Sequence, residues 1–202
     1  MSAPGPVIGV DLGQKRDPTA VCVSELDLRD AAGRREVHFL VRYLQRLPLG
    51  TPYPEVARKV ARLARSVASR VGRPPSLYLD ATGVGQPVLD AVREELAAGT
   101  GWESTGRGCP IFAVYLLHGD ERREEEGVVK LGKAWLVNRL QALLQVRRVH
   151  LPNTPEARAL RDELLDYEIR VDDNAVDRYG AFRTGAHDDL VTALGLAVQV
   201  EA

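Results

Sequence analysis

The chain has 202 residues, which suits one α/β domain, and its 45% hydrophobic and 27% charged residues are ordinary for a soluble globular protein. Its formal net charge of −1 excludes a histone-like polycation, so any contact with nucleic acid must come from local basic patches. No apolar run approaches the ~20 residues needed to cross a bilayer. The N-terminus lacks the basic start and apolar stretch of a secretory signal, and we expect a cytoplasmic protein whose two cysteines stay reduced.

The first part of the chain predicts three strands that could form an antiparallel meander. The apolar run from Val7 to Val10 ends in Asp11, and Thr19 to Glu25 has the composition of a second strand. Val37 to Leu44 is the third, after a charged turn around Gly33. A helix is then expected, because apolar residues recur at the spacing of one helical face at Val56, Val60, Leu63, Ala64, Val67 and Val71.

The middle of the chain alternates between strands and helices. Ser76–Asp80 is a compact apolar strand, Gln86–Leu96 a helix, and Pro110–Leu116 another strand. The stretch Ala98–Gly108 is rich in glycine and polar residues and is predicted to be a loop. The densely charged segment His118–Gly127 is predicted to be a mobile loop.

The last part predicts helices at Leu131–Gln145, Pro155–Tyr167 and Asp188–Val200, a small strand at Arg148–Leu151, and a hairpin of Ile169–Val171 with Arg178–Phe182. We see no internal repeat and no linker, so residues 1–202 are expected to form a single domain. Antiparallel strands first, then strands alternating with helices, predict an α/β fold with a mixed sheet flanked by helices. This order is also that of the ribonuclease H-like fold.

Two apolar strands end in an aspartate followed by a glycine-bearing turn, at Asp11 and at Asp80. A strand this apolar is buried on both faces, so a carboxylate at its end costs free energy unless something compensates its charge. Taken alone, each aspartate has a second interpretation as an ordinary turn former. The same arrangement twice in one small domain favours a functional site.

A third place is the start of the last helix, where Asp188 and Asp189 precede a strongly apolar segment. An N-cap together with a first-turn acid that interacts with the helix dipole explains one of these aspartates well and the second only partly. Because so apolar a helix must lie against the core, its N-terminus is expected near the strand ends.

Together these carboxylates could hold divalent metal. Hard cations such as Mg²⁺ prefer oxygen ligands and keep several waters, so a few aspartates suffice. Two ions about 4 Å apart can activate a water and stabilise the leaving 3′ oxygen in a phosphoryl displacement. His187 is open to three interpretations, as an extra ligand, as a proton shuttle, or as a capping or surface residue.

At these residues the sequence resembles the C-terminal nuclease domain of phage large terminase subunits, in the ribonuclease H-like superfamily. The family's G-x-D-x-G strand is matched by Gly9–Gly13 and its D-x-T-A turn by Asp17–Ala20. Its D-x-T-G-x-G strand end is matched by Asp80–Gly85 and its H-D-D-L-V-x-A-L helix by His187–Leu194. The order and approximate spacing of these motifs cover almost the whole chain.

The resemblance implies a two-metal-ion endonuclease that hydrolyses double-stranded DNA in genome packaging in the host cytoplasm, with Mg²⁺ or Mn²⁺ as cofactor. It implies that Asp11, Asp80 and either Asp188 or Asp189 are the catalytic metal ligands. Packaging terminases also have an ATPase domain with a phosphate loop. Nothing here fits that loop, since Leu131–Ala134 lacks its first glycine and its Ser/Thr, so an ATPase domain is expected as a partner or is absent altogether.

Several alternatives stay open. A Holliday-junction resolvase or a ribonuclease H would use similar carboxylates on the same fold. An actin-like ATPase or sugar kinase also begins with I-G-V-D-L-G, but commonly needs two such domains and has no obvious use for the two aspartates of the last helix. Asp17 precedes a proline and is interpreted as a turn residue. Lys130 and Lys133 could contact a DNA phosphate or be merely solvated. The arginines of the first helix are interpreted as residues that favour solubility rather than as DNA contacts, namely Arg58, Arg62, Arg65 and Arg70.

Overall fold

The computed structural model describes residues 5–13, 17–31, 33–83, 86–98, 108–171, 177–180 and 187–200. The strands within these ranges are β1 (Val7–Asp11), β2 (Ala20–Ala31), β3 (Arg34–Arg46), β4 (Ser76–Asp80), β5 (Ile111–Leu117), β6 (Arg122–Glu125), β7 (Val128–Gly132), β8 (Val149–His150), β9 (Glu168–Val171) and β10 (Asp177–Gly180). The helices are α1 (Tyr53–Val71), α2 (Gln86–Ala98), α3 (Lys133–Gln145), α4 (Pro155–Asp166) and α5 (Asp189–Ala197).

The main sheet has eight strands in the order β6-β7-β5-β4-β1-β2-β3-β8. Strands β1, β2 and β3 form the expected antiparallel meander. Strand β4 runs parallel to both β1 and β5, and β7 runs parallel to β5. The mixed α/β sheet predicted from the sequence is therefore confirmed. So is the separate hairpin, in which β9 and β10 pair antiparallel, although residues 172–176 and 181–182 lie outside the described part of the chain.

Helices cover both faces of the sheet, because alternate residues of each central strand point to opposite sides. Ile8 and Val10 of β1, with Leu77 and Leu79 of β4, pack against α1 and α2. The other face of the sheet packs against α3, α4 and α5 in two further apolar clusters. Tyr78 lies on this second face, so its alternate neighbour Asp80 points to the same side.

Helix α5 lies directly on strand β1 at Gly9. A methyl group added at Gly9 would stand 2.2 Å from the carbonyl oxygen of Ala193 and 2.5 Å from the amide nitrogen of Ala197. Only a glycine allows this approach of helix to strand. The far end of the helix is tied down by hydrogen bonds, because Ser24 Oγ donates to the carbonyl oxygen of Ala197 at 2.5 Å and Arg139 Nε donates to that of Val198 at 2.8 Å.

The prediction of a loop at His118–Gly127, followed by a helix from Leu131, is wrong in part. The charged residues Arg122–Glu125 form edge strand β6, which pairs with β7 through a turn where Glu126 and Gly127 have φ of 48° and 79°. Val129 and Leu131 are buried while Lys130 is exposed, and this period-two pattern belongs to a strand. Helix α3 consequently begins at Lys133.

The remaining elements agree with the prediction to within a few residues, except that β2 and β3 are longer than expected. The predicted loop at Ala98–Gly108 falls mostly on residues 99–107, which lie outside the described ranges. Within those ranges, none of the helices has both the length and the apolar character needed to span a membrane.

Gly9→Ala should destabilise the protein by ~1–3 kcal/mol, because the added methyl group forces α5 away from β1. Chemical denaturation measures the change. Gly108→Ala is the matched control, since a methyl group there meets nothing within 4 Å. Equal stability of the Gly9→Ala variant and the wild type would contradict the close packing of helix on strand.

Candidate functional site

Asp11 and Asp80 lie side by side where two neighbouring strands end. Strands β1 and β4 are parallel, and Val10 is paired with Leu79, so the next residue of each strand is an aspartate. Both carboxylates point to the face covered by α5, because their positions alternate with those of Val10 and Leu79 on the opposite face. Asp80 is 9% exposed and Asp11 is partly exposed, so both aspartates lie at the margin of the core.

The N-terminus of α5 brings Asp188 and Asp189 to the same place. The contact of α5 with Gly9 fixes the helix two residues along β1 from Asp11. The charges of Asp80, Asp188 and Asp189 all act on Asp11, and the opposing charge is that of Lys133 at the start of α3. The four carboxylates predicted from the sequence therefore form one electrostatically coupled cluster.

Burial disfavours the ionised form of Asp11 and of Asp80, and for Asp11 the neighbouring carboxylates add to this effect. Desolvation, followed by the charges of the other three aspartates, raises the pKa of Asp11 well above its ordinary value. Burial also raises the pKa of Asp80, although hydrogen bonds from Thr82 oppose this shift. The amide of Thr82 donates to Asp80 Oδ1 at 2.8 Å, which holds the carboxylate at the end of its strand. An added cation would relieve the repulsion.

Asp188 and Asp189 differ in their surroundings. The Asp189 side chain is 4% exposed, and Arg46 Nε at the end of β3 donates to its Oδ2 at 2.5 Å. Arg46 also pairs with Glu163 of α4. Glu163 Oε2 in turn accepts from the amides of Leu190 and Val191 at 3.1 and 3.3 Å, so a carboxylate from another helix caps α5. Asp189 is therefore part of an ion-pair network that fixes the start of α5.

Arg46 and Glu163 were not predicted from the sequence. For Glu163 a signal was present, since the buried residues of α4 are Ala157, Leu160 and Glu163, which places one charged residue on the buried face of an amphipathic helix. A buried carboxylate needs a partner. Nothing in the sequence around Arg46 identifies it as that partner.

The donor chemistry of the cluster fits a hard divalent cation, but its side chains would have to rotate to hold one. Asp11 and Asp80 supply buried carboxylate oxygens whose repulsion a cation would offset. As they stand, no three His, Cys, Asp or Glu side chains of the described residues are arranged to hold a metal ion. The pairing of Asp189 with Arg46 accounts for part of this, because the guanidinium group already occupies both oxygens of that carboxylate.

The other residues singled out in the sequence have different positions. His187 is exposed, with Nδ1 3.8 Å from Asp189 Oδ1. Asp17 is exposed, and its carbonyl oxygen lies where a side chain at Gly13 would be, in keeping with a turn role. Lys130 is exposed on β7, whereas the charge of Lys133 acts on both Asp11 and Asp80 and partly opposes the rise of their pKa. The motif residues 84 and 85 lie outside the described ranges.

The arrangement is similar in fold to viral terminase nucleases of known structure. The large terminase nuclease from thermophilic phage G20c aligns over 98% of this chain and 83% of that chain, with a TM-score of 0.60 and 22% sequence identity. The human cytomegalovirus terminase nuclease domain aligns over 96% of this chain and 82% of that chain, with a TM-score of 0.58 and 12% identity. Neither a family model nor a curated protein matches the chain. The expected ribonuclease H-like fold is confirmed, together with the resemblance to terminase nuclease domains at the level of fold.

Arg46→Ala should lower the free energy of unfolding by about 2–3 kcal/mol, because it leaves the buried carboxylates of Asp189 and Glu163 without their cation. The exposed pair of Arg42 with Glu25 provides the control on the same strand, and Arg42→Ala should cost less than about 1 kcal/mol. Urea denaturation of both variants measures the difference. Similar losses of stability in the Arg46→Ala and Arg42→Ala variants would mean that the ion-pair network does not hold the start of α5.

Asp11→Asn should leave the metal-free protein as stable as the wild type or more stable, because it removes a charge that its neighbours repel. The folded-state pKa of Asp11 is raised, so the cost of its ionisation is absent in acid and grows as the pH rises through that pKa. The stability advantage of the variant should therefore be largest at high pH and vanish at low pH.

Thermal unfolding of the variant and the wild type in EDTA, from acidic to alkaline pH, tests the expectation. Asp90→Asn on the exposed side of α2 is the control. A large fall in melting temperature for Asp11→Asn at neutral pH would show that Asp11 has a structural role.

Proposed function

We propose that the chain is a metal-dependent endonuclease that hydrolyses phosphodiester bonds of double-stranded DNA, as in phage genome packaging. The observation that carries the proposal is the gathering of buried, mutually repelling carboxylates from β1, β4 and α5 around Asp11. A protein has no structural reason to collect these charges at one point, and perturbed carboxylates of this kind mark functional sites. The fold shared with terminase nucleases supports the same activity.

We propose divalent metal, Mg²⁺ or Mn²⁺ and two ions in number, as the cofactor. The phage G20c nuclease has been crystallised with bound magnesium and with bound cobalt, and the cytomegalovirus domain has been soaked with manganese. When bound, the ions would supply activation of a water molecule and neutralisation of charge at the leaving 3′ oxygen.

We assign Asp11, Asp80 and Asp188 as the direct metal ligands. Asp189 either binds the metal and Arg46 at the same time or serves only to position helix α5. The pairing of Asp189 with Arg46 supports this division, since a carboxylate already engaged by a guanidinium group is a poorer ligand. Thr82 holds Asp80 through its backbone amide. Lys133 faces the cluster from α3, where its ammonium group suits a contact with a DNA phosphate next to the cleaved bond.

DNA binding by this chain alone should be weak and sensitive to salt. The formal net charge is −1, and affinity must come from a few phosphate contacts, whose contribution falls steeply as salt rises. We propose that a terminase ATPase domain or another packaging component holds the substrate in the cytoplasm of the bacterial host. The cut is then expected to show little sequence preference.

Incubation of supercoiled plasmid with the protein and Mg²⁺ or Mn²⁺ should give nicked and then linear or smeared DNA, and EDTA should prevent it. Asp11→Asn and Asp80→Asn should each abolish cleavage, because each removes a charged ligand oxygen from the site. Gel electrophoresis of the products measures the effect. Asp90→Asn, a surface variant of α2, should cut like the wild type.

The same assay should include a four-way junction and an RNA–DNA hybrid. Efficient cutting of either substrate, while plasmid stays intact with both metals, would contradict the proposal of a packaging nuclease. It would favour a junction resolvase or a ribonuclease H instead. Full activity of Asp11→Asn in the presence of metal would contradict the assignment of the site itself.

A further inference from the structure

A groove runs between helix α1 and strands β2 and β3, on the face of the sheet opposite the aspartates. It consists of two adjoining cavities of about 340 and 490 Å³, both lined by Tyr43, Leu63 and Ser66. Its floor is apolar, because Val21 and Val23 of β2 belong to the core cluster that α1 covers. We call it the α1–β3 groove, and the candidate nuclease site uses none of these residues.

Cations line both sides of the α1–β3 groove. Lys59, Arg62 and Arg70 lie on the α1 side, and Arg42 of β3 lies on the other. At 100° per residue, the three α1 positions fall within about 80° of one another around the helix axis, and they extend about 16 Å along it. Among the described residues that line the groove, these four cations face one acid, Glu25. The excess of positive charge favours a polyanionic ligand.

Arg62 and Arg70 are the cations of the groove that are available to a ligand. Arg42 Nε lies 2.8 Å from Glu25 Oε2, and Lys59 is paired within its own helix at 3.4 Å. Arg62 and Arg70 are exposed, and neither has a carboxylate partner in the described part of the chain. Their guanidinium groups suit the oxygens of a phosphate.

Tyr43 gives the groove an aromatic surface. Its side chain is 38% exposed and lines both cavities. Its hydroxyl donates a hydrogen bond to Gln45 Oε1, which holds the ring in place. Proteins that hold single-stranded nucleic acid combine a basic groove for the phosphates with aromatic rings on which bases stack. The α1–β3 groove has both features.

The groove opens at the edge of the sheet that carries the candidate nuclease site. Gln45 and Leu47 line this end of it. They flank Arg46, whose guanidinium group contacts Asp189. A DNA strand that leaves the carboxylates has only to cross the end of β3 to reach the groove.

We propose that the α1–β3 groove binds one strand of DNA next to the cleaved bond, with phosphates on Arg62 and Arg70 and a base stacked on Tyr43. This assignment rests on the proposed nuclease function, which supplies DNA as the substrate. The apolar floor favours a single strand over a duplex, because a duplex keeps its bases stacked inside and presents only its backbone and groove edges.

Fluorescence anisotropy of a labelled oligothymidylate of about 12 nucleotides, measured in EDTA, tests the proposal without cleavage. Arg62→Ala and Arg70→Ala should each weaken binding. Together they should reduce the slope of log Kobs against log salt by about 1.4, since each phosphate contact to a single strand accounts for about 0.7. Tyr43→Ala should weaken binding by about fivefold or more, whereas Tyr43→Phe, which keeps the ring, should bind nearly like the wild type. Arg93→Ala, at an exposed arginine of α2, is the control and should change little.

Unchanged binding in Arg62→Ala, Arg70→Ala and Tyr43→Ala would overturn the proposal, and so would an equal loss in Arg93→Ala, which would reveal an effect of net charge alone. All four side chains are exposed, so the variants should fold, and circular dichroism checks this. Plasmid cutting by the same protein separates the two claims. A wild type that cuts plasmid without binding the oligonucleotide contradicts the groove alone, whereas one that binds it without cutting contradicts the nuclease function.

Discussion

The contact between helix α5 and strand β1 at Gly9 is the constraint on which the candidate site depends. The backbone of the helix passes so close to the strand that a single methyl group would collide with it. This contact lies two residues along the strand from Asp11, and it fixes the position of α5 on the sheet and with it the position of the helix N-terminus. The four aspartates thus meet because an apolar helix is seated on a buried glycine, although no attraction exists among them.

Repulsion among these acids has to be offset elsewhere in the fold. At Asp11, burial and three neighbouring carboxylates raise the pKa, while Lys133 supplies the opposing charge. Asp189 is compensated by Arg46, which Glu163 anchors in turn while capping the helix. Asp189 is therefore held by a protein cation, while the charge of its sequence neighbour Asp188 acts on Asp11.

Most of the fold could be predicted from the sequence because its patterns are local. Apolar runs gave the central strands, helical spacing gave α1, and Ser76–Asp80 was predicted with the bounds that the structure shows. Strand β6 was missed because an edge strand made of Arg and Glu has no apolar alternation to reveal it. Strand β7 does alternate, but it has only five residues and is followed at once by α3, so its end was assigned to the helix. Their pairing depends on a turn at Glu126 and Gly127 and on β5 beside them, and the charged composition indicated a loop instead.

The candidate aspartates were also predictable, since a carboxylate at the end of a buried strand is costly and was present twice. The proposed choice between Asp188 and Asp189 was not, because it depends on Arg46 and Glu163. Arg46 is 143 residues from Asp189 along the chain and Glu163 is 27 residues from Leu190, so both reach the start of α5 only through the fold.

Anomalous diffraction from crystals soaked in Mn²⁺ would locate the metal ions. We expect anomalous density within coordination distance of carboxylate oxygens from both Asp11 and Asp80, with Asp188 as a further ligand and Arg46 still bound to Asp189. Manganese density located elsewhere on the surface, with the four aspartates holding none, would contradict a metal centre at the ends of β1 and β4.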